Sequence, residues 1–473
     1  MKTLRGSTQR EIEMNESNHT VAEWVLPGHP DKLCDALADR IVGEVLRADP
    51  YGQCGIEAAC AFDHVFVTGL IGFDRSTLPD IEQRLVGWVR DTYRSAGYGG
   101  RWDPVPEALQ IDLRALRIEH RGAEWQELRH LSDDQCICVG YAQDAPQTDY
   151  LPGALWTARR IAQALHARQQ EAPQGSVGPD GKVIVRGAER ADGSFRPLSV
   201  SVSLHHAEDA DWLELRRHAQ GALRDALGDE HLPDLTVNAA GMFLCGGPTG
   251  DNGTTGKKLV MDAYGPGVPI GGGAWSGKDF NKPDRVGGLL ARRLALQCVQ
   301  AGVGRRVRVQ LEYRPNSPRP ESISVWSDGR VIALPPGVRP VPTLDAAREM
   351  IADLASTDFH PLVSGQLARW GHLGHIGCWW ERELCRAPAF GVANGDPYST
   401  RDAANGMNDN REQHAYQEND LEPRSEEPRR EPERVAGIAH GRTPCCGRAG
   451  SETAIAPLSG HSWACPRGCT GGP

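Results

Sequence analysis

Residues 246–285 read GGPTGDNGTTGKKLVMDAYGPGVPIGGGAWSGKDFNKPDR. Glycine alternates there with lysine and aspartate more densely than an ordinary connecting loop requires. Glycine lets the backbone approach a ligand closely, and lysine supplies a compact positive charge that suits phosphate oxygens. The stretch therefore predicts an anion-binding site.

Lysine is scarce in the remainder of the chain. Of the 52 basic residues only seven are lysine, and the other 45 are arginine. Six of the seven lie within the chain in loops rich in glycine, proline or aspartate: Lys32, Lys182, Lys257, Lys258, Lys278 and Lys282. Solvated surface lysines would instead be scattered along helix faces. We therefore interpret these six as individual contacts to phosphate oxygens.

A carboxylate stands beside a basic residue in each of three loops. The three segments are Pro30-Asp31-Lys32, Pro179-Asp180-Gly181-Lys182 and Pro283-Asp284-Arg285. Such a carboxylate can hold Mg²⁺ while the lysines hold the phosphates that the metal bridges. This is the chemistry of a nucleotide polyphosphate.

Two common nucleotide-binding motifs are excluded by their spacing. A Walker P-loop needs a glycine five residues before its Gly-Lys pair and a serine or threonine after it. Before Gly256-Lys257 that place is held by Asp251, and Lys258 follows the pair. The run of residues 271–273, three consecutive glycines, lacks the spacing of a dinucleotide fingerprint.

Six segments of the chain together resemble the signatures of one known family. They are Gly28-His29-Pro30-Asp31-Lys32, Asp134-Gln135 with Gly140-Tyr141-Ala142, residues 246–251, Thr255-Gly256-Lys257-Lys258, residues 271–274 and Ser276-Gly277-Lys278-Asp279. In this order they are similar to the segments of the methionine adenosyltransferase (S-adenosylmethionine synthetase) family. The resemblance covers about residues 23–383.

The resemblance implies an α+β fold with three similar βαβ-type domains. We place these domains at residues 20–140, 141–270 and 271–386. Residues 1–19 are polar and without periodicity, and residues 387–473 are dominated by polar and charged side chains, so both are expected to be disordered. The tail contains Cys445, Cys446, His461, Cys465 and Cys469. Their spacing lacks paired Cys-x₂-Cys knuckles, and zinc binding there is a minor alternative.

The resemblance also implies the role of each candidate residue. The predicted triphosphate contacts are His29, Lys182, Lys257, Lys258 and Lys278. The other predicted contacts to the nucleotide substrate are Asp134, Asp180, Phe243, Asp251, Lys32 and Lys282. The predicted metal ligands are Asp31, Asp284, Glu23 and Glu57. An ordinary strand or core role stays an open alternative for Glu23, Glu57 and Phe243.

The expected reaction joins methionine to the adenosyl group of ATP. The methionine sulfur carries no proton to remove, so the site needs placement and charge neutralisation rather than a general base. In the family the triphosphate is then cleaved to pyrophosphate and phosphate. Two Mg²⁺ ions, K⁺ and ATP are expected, in a homodimer or homotetramer whose sites lie between subunits.

The chain departs from the family on the methionine side. Leu70 stands where the family has a glutamate that helps to hold the methionine amino group. Residues 114–131 should contain the mobile active-site loop, but its usual core is absent and only Gln126 is aligned with its glutamine. Two alternatives therefore stay open: a specialised relative that displaces or cleaves triphosphate with a different acceptor, and an inactive regulatory subunit.

Composition narrows the remaining classes. The net charge of −10 argues against general nucleic-acid affinity. No apolar run approaches the roughly 20 residues of a membrane span. Residues 1–20 lack the apolar centre of a secretory signal, so a cytoplasmic location is expected. The 13 cysteines are scattered, which favours free thiols over a disulfide framework.

Periodicity predicts the main elements. Apolar residues recurring every four positions predict a helix that follows Pro30-Asp31 and runs to about Ala48. A hairpin is predicted over residues 54–73, further helices over 80–97, 155–169, 209–227, 286–301 and 344–354, and strands over 182–187, 198–205, 306–313 and 322–326. Residues 171–179 are predicted to be a linker.

Overall fold

The structure is a computed structural model. It describes residues 19–381, apart from residues 51, 73–75, 77, 103–104, 107, 116–130, 173–174, 191, 337, 339–343, 345–359 and 376–377. The tail with its cysteine and histidine residues and the altered loop with Gln126 lie outside the described residues. So does the lead predicted over residues 1–19, except for His19, which begins a strand. The helix predicted over 344–354 does too, except for Leu344.

Twelve strands occur in the described part of the chain. In order they are β1 His19–Val25, β2 Gln53–Ala61, β3 His64–Gly72, β4 Ala108–Ala115, β5 Cys136–Gln143, β6 Val177–Glu189, β7 Phe195–His206, β8 Asp234–Val237, β9 Gly253–Thr254, β10 Arg306–Tyr313, β11 Ser322–Ser327 and β12 Arg330–Ile332. They form three four-stranded sheets with the orders β1-β6-β7-β8, β4-β3-β2-β9 and β12-β11-β10-β5.

Eight α-helices are described alongside the sheets. They are α1 Pro30–Ala48, α2 Ile81–Ala96, α3 Gly153–Glu171, α4 Trp212–Leu227, α5 Leu259–Asp262, α6 Pro283–Gln300, α7 His360–Val363 and α8 Gln366–Trp370. Short 3₁₀ turns occur at Pro146–Thr148 and Gly247–Thr249. None of the described helices is both long and apolar enough to span a membrane.

The expected α+β class is confirmed, and the sheets combine strands that are distant in sequence. β1 pairs with β6 in antiparallel register from His19 opposite Ala188 to Val25 opposite Lys182. β5 pairs with β10, and β9 pairs with β2. The boundaries 20–140, 141–270 and 271–386 stay a prediction.

Helix α1 is the central element of the site region. It packs against β2, α7 and α8, and 15 of its 19 residues are buried. Leu33, Leu37, Ile41 and Val45 are buried as their four-residue spacing predicts. Helix α6 is similarly buried and packs against β5 and β10. Both helices begin with Pro-Asp, since proline fits the first turn, where no N–H partner is needed.

Most predicted elements are present, with ends that differ from the prediction by up to five residues. The strand Arg306–Tyr313 is confirmed at both ends, and so is the hairpin of β2 and β3. The helix predicted to follow Pro30-Asp31 is confirmed and includes these two residues, since it begins at Pro30 and ends at Ala48. The linker predicted over 171–179 is wrong at both ends, because α3 continues to Glu171 and β6 begins at Val177. The Gly-Pro-Asp segment joins the sheet through an irregular register between Val177 and Gly181, which composition alone does not predict.

Candidate active site

His29 caps the N-terminus of α1. Its Nδ1 accepts a hydrogen bond from the Asp31 N–H at 3.2 Å. Burial and the positive charge of Lys258 lower the pKa of His29 to about 4. The imidazole is therefore neutral near pH 7, and because Nδ1 is the acceptor, Nε2 carries the proton. His29 thus offers one N–H donor beside a helix N-terminus, an arrangement that suits an anionic ligand.

Asp31, on α1, contacts two lysines of the glycine-rich stretch, Lys257 and Lys258. It is fully buried. Its Oδ2 accepts a hydrogen bond from Lys258, its Oδ1 accepts from the Thr254 N–H at 3.0 Å, and Lys257 Nζ lies 3.7 Å from Oδ1. Burial opposes the ionisation of Asp31, but the bonds from Lys258 and Thr254 lower its pKa below the usual value. Asp31 is therefore a carboxylate beside two ammonium groups.

Strands β1 and β6 supply the next pair. Lys182 Nζ lies 3.4 Å from Glu23 Oε2, and both side chains are about two-fifths exposed. Asp180, two residues before Lys182, is buried and accepts a hydrogen bond from the Gly247 N–H at 2.7 Å. Burial raises the pKa of Asp180 to about 6. The buried carboxylate is aimed at the glycine-rich stretch, and the lysine remains open to solvent.

The candidate site contains a cavity of 390 Å³. Its walls include five predicted site residues, His29, Asp180, Lys182, Phe243 and Asp251. A second cavity, of 420 Å³, is lined by Glu23, Lys257 and Lys258 with apolar neighbours. A third and larger cavity, of 960 Å³, is lined by parts of β1, β5, β10 and β11, and its lining includes none of the predicted site residues.

A second charged cluster lies at the N-terminus of α6. Lys278 Nζ is 2.9 Å from Asp284 Oδ2, and the Cys136 thiol lies 3.2 Å from Asp284 Oδ1. A Cβ on Gly273 would lie 1.5 Å from Asp284 Oδ1. A glycine is therefore needed at position 273, because any side chain there would displace the carboxylate.

The remaining predicted residues lie around this second cluster. Lys282 caps α6 and pairs with Asp133. Asp134, the residue after Asp133, is exposed, and its Oδ1 accepts a hydrogen bond from the Gln135 N–H. Glu57 is exposed on β2, two residues beyond Gly55, whose backbone bridges to Lys278.

Lys32 differs from the other predicted lysines. Its side chain is fully buried, and Nζ contacts Asp35 at 3.3 Å, the Ala368 carbonyl at 2.7 Å and Asp262. An ammonium group has three donors, and all three are used inside the protein. The geometry therefore argues against a nucleotide contact at Lys32, and we leave this residue out of the proposed site.

A buried charge network along α1 was not predicted from the sequence. Its members are Lys32, Asp35, Asp39, Asp262, Arg285 and His372, all buried. Arg285 donates to both carboxylate oxygens of Asp39, at 2.8 and 2.9 Å, and lies 2.6 Å from His372 Nε2. The available signal was the spacing of Asp31, Asp35 and Asp39, which places three carboxylates on one helix face.

The donor set bears on the expected Mg²⁺. In the described part of the chain no three histidine, cysteine or acidic side chains converge on one point. Asp31 and Asp284 are instead single carboxylates beside lysines. Mg²⁺ is commonly held by one or two carboxylates together with substrate phosphates rather than by a protein cage. These residues fit that form of binding.

Comparison with known proteins identifies the family to which the chain belongs. The sequence model of the S-adenosylmethionine synthetase N-terminal domain matches residues 17–108, and that of the C-terminal domain matches residues 245–382. The S-adenosylmethionine synthase of Thermus thermophilus is 30% identical over 382 residues, covering 76% of this chain and 94% of that protein. The chain belongs to the S-adenosylmethionine synthetase family.

Other relatives agree with this membership. The S-adenosylmethionine synthase of Zymomonas mobilis is 32% identical over 318 residues, covering 65% of this chain and 80% of that protein. A solved structure, described as an unusual S-adenosylmethionine synthetase from Campylobacter jejuni, superimposes with a TM-score of 0.66 at 24% identity. It covers 77% of this chain and 97% of its own. At that identity the likeness supports the fold alone.

Proposed function

We propose that this protein transfers the adenosyl group of ATP to the sulfur of methionine and then cleaves the released triphosphate to pyrophosphate and phosphate. Family membership supports this reaction class. The observation that carries the proposal is the convergence of His29, Asp180, Lys182, Phe243 and Asp251 on one 390 Å³ cavity. A cavity lined by an aromatic ring, a buried acid, a lysine and an imidazole N–H donor has the chemistry to receive a nucleoside polyphosphate.

The reaction requires that the negative charge of the departing triphosphate be neutralised. As the sulfur attacks C5′, negative charge grows on the departing triphosphate oxygen, and nearby cations and N–H donors stabilise it. Lys182, Lys257, Lys258 and Lys278 would supply the cations, and His29 would donate from Nε2. Asp31 shares two of these lysines, so phosphate oxygens would take over part of its role when ATP binds.

Asp31 and Asp284 would hold Mg²⁺ together with phosphate oxygens. When bound, this metal neutralises phosphate charge and aligns the triphosphate. Glu57 would lie near K⁺, as the family resemblance implies. Asp180 and Asp251 would contact the nucleoside, and Phe243 would stack on the adenine.

We propose a dimer as the smallest active unit. Asp134, Glu57 and Leu70 are exposed in the isolated chain, which is compatible with a site that a second copy completes. The resemblance assigns Asp134 to the site of the neighbouring subunit. Size measurement in solution, with Asp134→Asn assayed alone and mixed with Lys182→Met, tests this: mixed dimers should recover activity because one of their two sites is intact.

Product analysis tests the reaction itself. Purified protein is incubated with ATP, Mg²⁺ and K⁺, with and without methionine, and the products are identified by mass spectrometry and phosphate analysis. We expect S-adenosylmethionine, pyrophosphate and phosphate in equal amounts, only when methionine is present, and none after chelation of Mg²⁺. Release of phosphate without S-adenosylmethionine would contradict the proposal.

Leu70 favours a second candidate, adenosyl transfer to a different acceptor. Its side chain is 47% exposed, on β3 opposite Gly55 and Arg114. An apolar group there offers no charge to an amino group. Triphosphate release with other thioethers but not with methionine would support this candidate, and ATP binding without turnover would support an inactive regulatory subunit.

A further inference from the structure

Three aspartates on one face of α1 hold the glycine-rich loops. Asp31, Asp35 and Asp39 follow one another at four-residue spacing, and each is 0% exposed. Such residues are stacked along one side of a helix. The helix therefore presents a row of three buried carboxylates to whatever lies against it.

Each carboxylate accepts a hydrogen bond from the backbone of the stretch 246–285. The Thr254 N–H donates to Asp31 at 3.0 Å, the Gly256 N–H to Asp35 at 2.8 Å and the Gly277 N–H to Asp39 at 2.9 Å. A buried carboxylate is costly unless such bonds compensate it. The row thus fixes the glycine-rich stretch at three points along α1.

Two of these points directly precede candidate phosphate ligands. Gly256 is followed by Lys257 and Lys258, and Gly277 is followed by Lys278. At the second point Arg285 adds a bond of 2.7 Å to the Lys278 carbonyl while its guanidinium holds Asp39. Lys278 is therefore held on both sides of its α-carbon.

The backbone at Gly277 permits this close approach. Its φ is +84°, a conformation that residues with a side chain rarely adopt, and a Cβ there would lie 2.2 Å from the Ile56 carbonyl oxygen. The loop therefore crosses between α1 and β2 with no room to shift. Its position depends on the Asp39 bond from one side and on β2 from the other.

We propose that Asp35 and Asp39 are positioning residues that set the directions of the phosphate-binding lysines: Asp35 sets Lys257 and Lys258 through Gly256, and Asp39 sets Lys278 through Gly277. The inference rests on the proposed function, because it assigns these lysines to the triphosphate. Neither aspartate touches the ligand. Their contribution to binding passes entirely through the lysines that follow the two glycines.

A double-mutant cycle separates positioning from general stabilisation. The affinity for inorganic triphosphate with Mg²⁺ is measured by calorimetry for the unmodified protein, Asp39→Asn, Lys278→Ala and the double variant. We expect each single change to weaken binding about tenfold, and the double variant to bind about as weakly as Lys278→Ala alone, because the two residues act through one contact. A hundredfold loss in the double variant, or no loss in Lys278→Ala, would overturn the role of Asp39.

A matched control uses a lysine on a different element. Lys182 is on β6, which the row does not hold, so combining Asp39→Asn with Lys182→Ala should multiply the two losses. Equal coupling to Lys182 would show a general effect on folding and overturn the proposal. Circular dichroism confirms that each variant is folded.

A second pair keeps the test decisive if Asp39→Asn does not fold. Asp35→Asn removes one acceptor oxygen, so the Gly256 N–H and Lys32 compete for the other. A variant that combines Asp35→Asn with Lys257→Ala and Lys258→Ala should bind triphosphate about as weakly as the variant with the two lysine changes alone. Independent losses would overturn positioning. If the unmodified protein does not bind triphosphate, the proposed function and the inference both fail, whereas binding with independent losses refutes the inference alone.

Discussion

Lys258 and Lys32 both contact an aspartate of α1, yet they belong to different regions. Lys258 pairs with Asp31 and keeps 15% of its side chain exposed beside the candidate site. Lys32 pairs with Asp35 and Asp262, is 0% exposed, and is covered by the backbone of α8 at Ala368. Lys258 lies in the glycine-rich stretch and is therefore accessible to a ligand at the candidate site. Lys32 is covered by helix α8 and instead stabilises the fold.

The largest expected effect is on stability, from removing the buried lysine. Lys32→Met leaves the buried carboxylates of Asp35 and Asp262 without their cation. Breaking such a pair on one side typically costs about 3–5 kcal/mol. Urea unfolding should show this loss in the free energy of unfolding.

The matched control is Lys182→Met, which breaks a partly exposed pair with Glu23. It should change the free energy of unfolding by about 1 kcal/mol or less. Equal losses in the two variants would remove the distinction between the buried network and the open lysines.

The next effect is on catalysis, from removing the open lysine. Lys182→Met should lower kcat/KM by about 10²-fold, the size typical of losing one contact to developing negative charge. Lys182→Arg keeps the charge and should recover part of the rate. Steady-state rates of S-adenosylmethionine formation measure both. A Lys182→Met variant with unchanged rates would exclude Lys182 from the site.

A smaller effect concerns pH and Asp180, a buried acid that lines the 390 Å³ cavity. Burial raises the pKa of Asp180 to about 6, so the group is ionised at pH 7 and mostly protonated at pH 5. Protonation removes acceptor capacity, so ATP should bind about tenfold more weakly at pH 5. This dependence should flatten in Asp180→Asn, whereas an unchanged pH profile in that variant would assign the titration to another group.

The smallest expected effect is at the departure from the family. Leu70→Glu places a carboxylate at a half-exposed position, so the free energy of unfolding should change by about 0.5 kcal/mol or less. If methionine is the acceptor, KM for methionine should fall by about threefold to tenfold, because a new hydrogen bond to a charged amino group is partly screened by solvent. Leu70→Gln is the uncharged control. A raised KM would favour the different-acceptor candidate.

Features that depend on residues close together in the sequence could be predicted. The spacing of Leu33, Leu37, Ile41 and Val45 gave the helix, and the glycine and lysine motifs gave the residues that line the cavities. The role of Lys32 could not be predicted, because its partners Asp262 and Ala368 are 230 and 336 residues away along the chain. Motif membership alone placed Lys32 with the phosphate ligands.

The sheets required the same long-range information. β1 joins β6, and the site pair Glu23 and Lys182 exists only because of that pairing. Asp35 and Asp39 could not be predicted as site residues either. The partner of a buried acid on an amphipathic helix can be assigned only once the position of the loop that packs against it is known. The four-residue spacing of the three aspartates was nonetheless present in the sequence.

The most direct test of the central claim is a crystal structure with Mg²⁺ and a non-hydrolysable ATP analogue. We predict adenine in the 390 Å³ cavity beside Phe243, phosphate oxygens within hydrogen-bond distance of Lys182, Lys258 and His29 Nε2, and Lys32 still bound to Asp35 and Asp262. A nucleotide in the 960 Å³ cavity instead, or phosphates that contact none of these lysines, would contradict it.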